Sequence, residues 1–364
     1  MKCAVIGDGI AGLSVAYHLC KAGMFVHIYS HPDKYPRASD AAQGVICNKG
    51  LLVPNKSLFH AKLESLNWVK DQIFALERET GRSIEHKFDE VIEPFSDSRT
   101  FRNSVERIYK GDFWGCFKAE TFKGPYSPWS GISYGHIRYS DEGWFNTRSL
   151  MDALRSFLEQ NQVNFVNQEV LKVDANGLLK LASDRKSSIY DHIVLANGWG
   201  MVDLTLRSEL KLPRMRPASG HTIKLTMQDD FGEYNLVSGT KSLIVRGREA
   251  YLGSSTIKKS SVTEDEGSAD VQALLNVGAE IFGCKSLIDN SSSQALWGTR
   301  AFTKDRSPFY GQLEQRGHSQ VWCLGGFFKS GLQFSNFLAE ALTRTMKGQK
   351  IHPLAQQFSI DRLL

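Results

Sequence analysis

Cysteine is sparse in this chain, with six residues (Cys3, Cys20, Cys47, Cys116, Cys284, Cys323) in 364. None forms a Cys-x-x-Cys pair, and no Cys/His group has zinc-like spacing. This excludes a disulfide scaffold and a structural zinc site, and free thiols in a reducing cytosol are expected. Long apolar runs are also missing. No stretch reaches the roughly 18 residues of a membrane span. No charged leader precedes the first strand at Lys2, so no signal peptide is expected and a cytoplasmic location follows. Charge of one sign is scarce: the net charge is +5, and no Lys/Arg block occurs. Nucleic acid is therefore not indicated as a partner, although the mild basicity permits it, and no membrane is expected. Low-complexity tracts and internal repeats are absent as well.

What is present begins at the first residues. "KCAVIGDGIAGLSVAYHLCKAGMFVHIYS" reads as strand, glycine turn, helix and strand, a βαβ unit. Gly7, Gly9 and Gly12 fall in the spacing G-x-G-x-x-G, with Ile10 and Ala11 inside the turn. Gly7 permits the tight turn, Gly9 lets the backbone approach a pyrophosphate, and Gly12 allows close helix–strand packing. The helix N-terminus then faces the anion. The nucleotide could be NAD, NADP or FAD on this pattern alone. One expected element is missing, because the second strand ends on Ser30 where an acidic residue usually holds the ribose.

Further along, residues 56–81 carry Leu58, Leu63, Leu66, Val69, Ile73 and Leu76 at helical spacing. The segment 84–140 is short, aromatic and β-like, and reads as a separate antiparallel sheet. Asn146 or Thr147 caps a helix in "NTRSLMDALRSFLEQN". "VNFVNQEVLKVD", "LLKLAS", "YDHIVLANGWG" and residues 216–260 read as strands, and "EGSADVQALLNVGAEIFG" as a helix. The chain closes on strand, glycine turn and helix in "VWCLGGFFKSGLQFSNFLAEALTRTMKG". Nucleotide-type elements thus lie at the start, middle and end, separated by two β-rich insertions.

"RASDAAQGVICNKGLL", "EGWFNTRSLMDAL", "YDHIVLANGWG", "ALWGTRAFTKDRSPFYG" and "CLGGFFKSGLQFSNFLAEAL" follow one another in this order. The order resembles the D-amino-acid oxidase family of FAD-dependent oxidoreductases, which includes glycine oxidase, sarcosine oxidase and the oxidase half of the tRNA methylaminomethyl-uridine enzyme. The resemblance implies an α/β (α+β overall) protein. It would have a discontinuous Rossmann-like FAD-binding domain (1–83, 141–212 and 296–364) and a second antiparallel-sheet substrate or cap domain (84–140 and 213–295). It also implies oxidation of the C–N bond of an amino acid or N-substituted amino acid by hydride transfer to flavin N5, with O2 or another electron acceptor. No protein base is required for that transfer.

By match of motif, Arg37, Ser39, Ala42, Gln43 and Gly44 belong to the loop that wraps flavin and pyrophosphate. Val170 meets the adenine through its backbone. Ala196, Asn197 and Gly198 form the next turn. Gly325, Gly326, Phe328, Lys329, Ser330, Gly331 and Leu332 form the last one, beside the isoalloxazine. Arg300 matches the arginine that holds the substrate carboxylate, for which a planar fork of donors is suited; a domain-interface ion pair is the alternative. Lys329 matches a basic position that stabilises reduced flavin or touches substrate, and a solvated lysine is the alternative. His136, Tyr134, Tyr251 and His221 lie on strands that could line the pocket without an assigned role, and Trp114 and Trp129 are read as core.

The chain departs from the family pattern in three places. "LWGTRAF" lacks the cysteine that attaches flavin in sarcosine oxidases, so noncovalent FAD is expected. "RA" replaces the usual "RP" after the arginine. Ser30 replaces the ribose acid; its hydroxyl, with Asp33 nearby, can supply the contact. Two other functions stay open: a flavoenzyme acting on a modified tRNA base or other macromolecule, and an accessory flavoprotein without amine oxidase activity. NADP binding is a fourth reading, which the downstream motifs oppose. Oligomeric state is not legible.

Overall fold

The computed structural model of the chain describes residues 1–31, 36–48, 56–110, 119–124, 134–183, 189–261 and 263–363. Asp33, Cys116, Trp114 and Trp129 lie outside the described residues. Among these residues no helix is long and apolar enough to cross a membrane.

The apolar strand Lys2–Ile6 is the centre of a six-stranded sheet. It pairs in parallel with Phe25–Ser30 on one side and His192–Leu195 on the other. Asn164–Asn167 extends the sheet beyond Phe25–Ser30, and Ser319–Gly325 extends it beyond His192–Leu195, both in parallel. Phe309–Arg316 closes that second edge as the one antiparallel member. Central parallel strands are buried on both faces, which accounts for runs such as His192–Leu195, apolar at Ile193, Val194 and Leu195. One face is covered by the helices Ile10–Lys21, Lys56–Thr80, Thr147–Gln160 and Gly331–Met346. Leu13, Ile73, Leu154 and Leu338 meet there in one core. The other face packs Val170, Tyr190, Met201 and Leu204 into a second core.

An eight-stranded sheet forms the second layer. It runs in the order Ser291–Phe302, Arg216–Met227, Glu249–Gly253, Lys241–Arg246, Glu233–Ser238, Glu90–Phe95, Gly135–Ser140 and Ala119–Lys123. The two β-rich insertions therefore share one sheet. They meet at a parallel pairing of Leu236 with Ile92, while the other neighbours are antiparallel. The strands of 84–140, expected as a sheet apart from the nucleotide unit, belong to this second sheet.

Three local expectations also change. Residues 84–140 contain the helix Ser98–Lys110, whose apolar positions Phe101, Val105 and Ile108 face the strands. Asp97 accepts from Arg99 and Thr100 backbone N–H at its start, both at 2.9 Å. "VNFVNQEVLKVD" splits at Gln168–Glu169 into Asn164–Asn167 of the large parallel sheet and Val170–Val173 of a two-stranded one. The strand Ser291–Phe302 pairs along its whole length with Arg216–Met227, so the expected boundary at 296 falls inside it. Of the two candidate caps, Asn146 takes the role, accepting from Arg148 and Ser149 N–H at 3.0 and 3.2 Å.

Candidate active site

At the end of the strand Lys2–Ile6 the backbone of Gly7 turns at a φ of 110°, and its N–H donates to Tyr29 O at 2.8 Å. A Cβ on Gly7 would stand 2.7 Å from Ala196 O. A Cβ on Gly12 would stand 1.9 Å from Gly7 O. These two contacts need bare backbone, and they seat the N-terminus of the helix Ile10–Lys21 against the strand ends. Ile10 N–H donates to Ser39 Oγ at 3.1 Å, bringing the 36–44 loop to the helix start.

That loop is held on every side. Arg37 donates to Asp8 at 2.8 Å and Asp40 at 2.7 Å. Arg155 adds a second donor to the buried Asp8 at 2.5 Å. Gln43 bridges to the second layer, donating to Tyr251 O at 2.8 Å and accepting from Ser242 Oγ at 2.7 Å. Thr222 Oγ1 donates to Ala41 O at 2.7 Å. The side chains of Arg37 and Gln43 thus position the loop.

A cavity of about 520 Å³ lies between the two layers. Gly7, Gly9, Ile10 and Ala11 line it, as do Ser30, Arg37, Ser39, Ala42, Gln43 and Gly44. Val170, Ala196, Asn197 and Gly198 form another stretch. The last turn contributes Gly325, Gly326, Phe328, Lys329, Ser330, Gly331 and Leu332, and Arg300 comes from the second layer. Of the residues given a cofactor or substrate role from the sequence, only Gly12 does not line the cavity; it packs beneath Gly7. His136, Tyr134, Tyr251 and His221 do not line it. The His136 ring instead stacks on Phe122 at 4.7 Å, and His221 Nδ1 pairs with Asp270 at 2.6 Å.

Arg300 lies partly buried beside the bare Cα of Gly220, where a Cβ would stand 2.8 Å from Nη1. Its Nη1 donates to Ser255 O at 3.2 Å. Burial pulls its pKa down, with Asp270 opposing. Lys329 follows Phe328, which sits in the left-handed region at a φ of 51° and donates its N–H to Ala301 O at 3.0 Å. Burial first, then the charges of Arg300 and Lys241, push the Lys329 pKa down to about 8.

Motif reading did not find several residues here. Asp8 and Arg155 lie far apart in sequence, and only the fold joins them. Lys241 reaches the cavity from the hairpin between Glu233–Ser238 and Lys241–Arg246, in a segment without a recognised motif. Lys62, on the helix Lys56–Thr80, also lines it, and burial lowers its pKa. Helical periodicity marked its neighbours Leu63 and Leu66, but gave no sign of a cavity lysine.

A glycine turn under a parallel sheet, opening into a cavity walled by a second sheet, defines a dinucleotide-dependent enzyme with a covered reaction space. Residues 2–345 match the family model for FAD dependent oxidoreductases of the DAO type. The chain belongs to this family and is an FAD-dependent oxidoreductase. It is 21% identical over 365 residues to the uncharacterized oxidoreductase YurR of Bacillus subtilis (strain 168), covering 95% of each protein. Among solved structures, iminodiacetate oxidase from Chelativorans sp. BNC1 superposes with a TM-score of 0.82 at 16% identity, covering 98% of both chains. Glycine oxidase from Geobacillus kaustophilus does so with a TM-score of 0.83 at 17% identity, covering 100% of this chain and 98% of the other. At these identities the likeness is one of fold.

Proposed function

We propose that the protein binds FAD noncovalently and oxidises the C–N bond of an amino acid or N-substituted amino acid. The carrying observation is Arg300, a partly buried guanidinium lining the same cavity as the glycine turn, with one side-chain hydrogen bond among the described residues, to a backbone carbonyl. A planar fork with unspent donors suits a carboxylate. The glycine oxidase and iminodiacetate oxidase neighbours, named for carboxylated amines, support the same substrate class.

The residues present fit the cofactor. Gly7 N–H and Ile10 N–H are spent on Tyr29 O and Ser39 Oγ, and bare backbone at Gly9 with the rest of the first turn of the helix Ile10–Lys21 offers N–H groups to a pyrophosphate. Asn197 Oδ1 is a buried acceptor in the cavity wall with no hydrogen-bond partner among the described residues, and a bound ligand can satisfy it. Ser30 and Val170 would take the adenosine end, and Gly326 to Leu332 the ring. When bound, the flavin supplies the hydride acceptor. Arg300 orients the substrate by its carboxylate, and Lys329 places positive charge where reduction leaves negative charge. The six-stranded layer would hold the nucleotide and the eight-stranded sheet would shape the substrate space. Free thiols, with Cys3, Cys284 and Cys323 buried, accord with a cytoplasmic setting.

Anaerobic mixing with a panel of amino acids and N-substituted amino acids tests the reaction. Bleaching of the flavin is expected, and a flavin that stays oxidised with every member sinks the reading. Acid precipitation tests the attachment. The strand Ser291–Phe302 holds no cysteine, whereas Cys47 lines the cavity, so colour left in the pellet would show a covalent bond.

A further inference from the structure

We propose that Lys241 forms a second anion-binding subsite beside Arg300, and that the substrate is an amino acid bearing two carboxylates. This rests on the amino-acid reading above and adds a substrate class to it.

Six cations line the cavity, Arg37, Lys62, Arg207, Lys241, Arg300 and Lys329, and of these Lys241 and Arg300 are the two whose charges bear on Lys329. These three come from three separate elements, a hairpin, a strand end and the bend before the helix Gly331–Met346. Lys241 and Arg300 donate to the carbonyls of neighbouring residues, and the charges of both reach Lys329. Lys241 Nζ lies 3.3 Å from Ser254 O, and Arg300 Nη1 lies 3.2 Å from Ser255 O. Lys241 and Arg300 are half-buried and Lys329 is exposed, and like charges gathered in one cavity repel one another unless an anion joins them.

The protein does not supply that anion among the described residues. The carboxylates that line the cavity are Asp8, Glu169 and Asp203. Asp8 is held by Arg37 and Arg155, and Glu169 pairs with Arg207 at 3.5 Å. Asp203 sits on the helix Gly200–Ser208, after the turn at Ala196–Gly198. Asp270 is the acid whose charge reaches Arg300 and Lys241, but it does not line the cavity. Its Oδ2 already accepts from His221 Nδ1 at 2.6 Å and from the Ser255 hydroxyl.

Two of the cations have work in the reaction proposed. Arg300 takes the first carboxylate, and Lys329 neighbours the ring position. Lys241 has neither task. It belongs to the eight-stranded sheet, it is half-buried, and one of its three N–H donors is spent on Ser254 O. Thr240, Ser242 and Ser254 line the same stretch and make the wall polar. A substrate with one carboxylate would leave this ammonium uncompensated. A second carboxylate, on the side chain or on the nitrogen, would pair with it.

The test uses FAD-loaded protein and matched acids. Succinate and butyrate, and glutarate and pentanoate, differ within each pair by one carboxylate, and their binding is followed through the flavin's visible absorbance. At least one diacid should bind about 10- to 100-fold tighter than its monoacid, the range for a desolvated charge pair. Lys241→Met should remove that preference, and Lys241→Arg should keep it. Equal binding within both pairs, or a preference that survives Lys241→Met, overturns the subsite. Flavin bleaching is then compared for glutamate, N-(carboxymethyl)glycine, alanine and N-methylglycine. Fastest bleaching by glutamate places the second carboxylate on the side chain, and by N-(carboxymethyl)glycine on the nitrogen. Fastest bleaching by alanine or N-methylglycine overturns the two-carboxylate substrate but leaves amino-acid oxidation standing. Diacid preference without bleaching by any amine supports the subsite and overturns the oxidation reading.

Discussion

Arg300 combines partial burial with unspent donors, which gives it a measurable signature. Arg300→Ala leaves a bound carboxylate without its partner, at a cost of about 2–5 kcal/mol. A fall in kcat/KM of roughly two to three decades is expected, with flavin content retained. Normal turnover by this variant, measured with the substrate that bleaches wild type fastest, would remove Arg300 from the site. Ser30 has a smaller role. Its hydroxyl offers the ribose a neutral hydrogen bond, worth about 0.5–1.5 kcal/mol. Ser30→Ala should weaken FAD binding roughly 2- to 10-fold and leave the single-turnover reduction rate of loaded protein unchanged. A lost site, or no change in affinity, would show that the strand end does not hold the ribose.

Elements meet most tightly where the first helix crosses the first strand. Gly12 lies on the helix Ile10–Lys21, and a Cβ there would sit 1.9 Å from Gly7 O. The obstacle is backbone, so no rotamer change can relieve it. Gly12→Ala must push the helix N-terminus away from the strand end, and overpacking of this kind costs about 1–3 kcal/mol. The expected result is a lower Tm together with loss of FAD. A variant that keeps both would show that the helix can move without disturbing the turn. The helix Ser98–Lys110 illustrates a different point about elements. Its period was present in Phe101, Val105 and Ile108, but aromatic strand-like neighbours masked it. Packing of those three residues on the sheet selects the helix.

Across the whole molecule, the site exists because two layers are clamped together. Gln43, Thr222 and the pairing of Arg37 with Thr299 tie the 36–44 loop to the eight-stranded sheet. The clamp brings positive charge from both layers into one cavity, and this yields a pH dependence. Lys329 faces Arg300 and Lys241, and its pKa is held at about 8, below the roughly 10.4 of a free lysine. Between these values the unfolded chain binds the proton and the folded one does not. This group's penalty on stability is therefore full below pH 8 and is relieved as pH rises through that window. Ligand-free wild type should gain thermal stability relative to Lys329→Met over this range. Binding of a carboxylate should run the other way and weaken as pH rises through about 8. Parallel curves for the two proteins in thermal denaturation, or carboxylate binding flat across pH 7–9, would refute the assignment.

The glycine turn, the parallel core strands and the order of the motifs were determined by local sequence. Each depends on residues close together in the chain: a bare Cα, a buried apolar run, a cap such as Asn146. Arg300 and Lys329 were legible for the same reason, since each sits inside a short motif. Only the tertiary structure decided that Asp8 binds Arg155, that the two insertions meet at the parallel pairing of Leu236 with Ile92, and that Lys241 and Arg300 reach one cavity. Those pairings form between segments far apart in sequence, and the positions that meet are set by sheet register and by the clamp between layers. No local pattern encodes that geometry, because the same lysine on an unpaired hairpin would be an ordinary solvated charge.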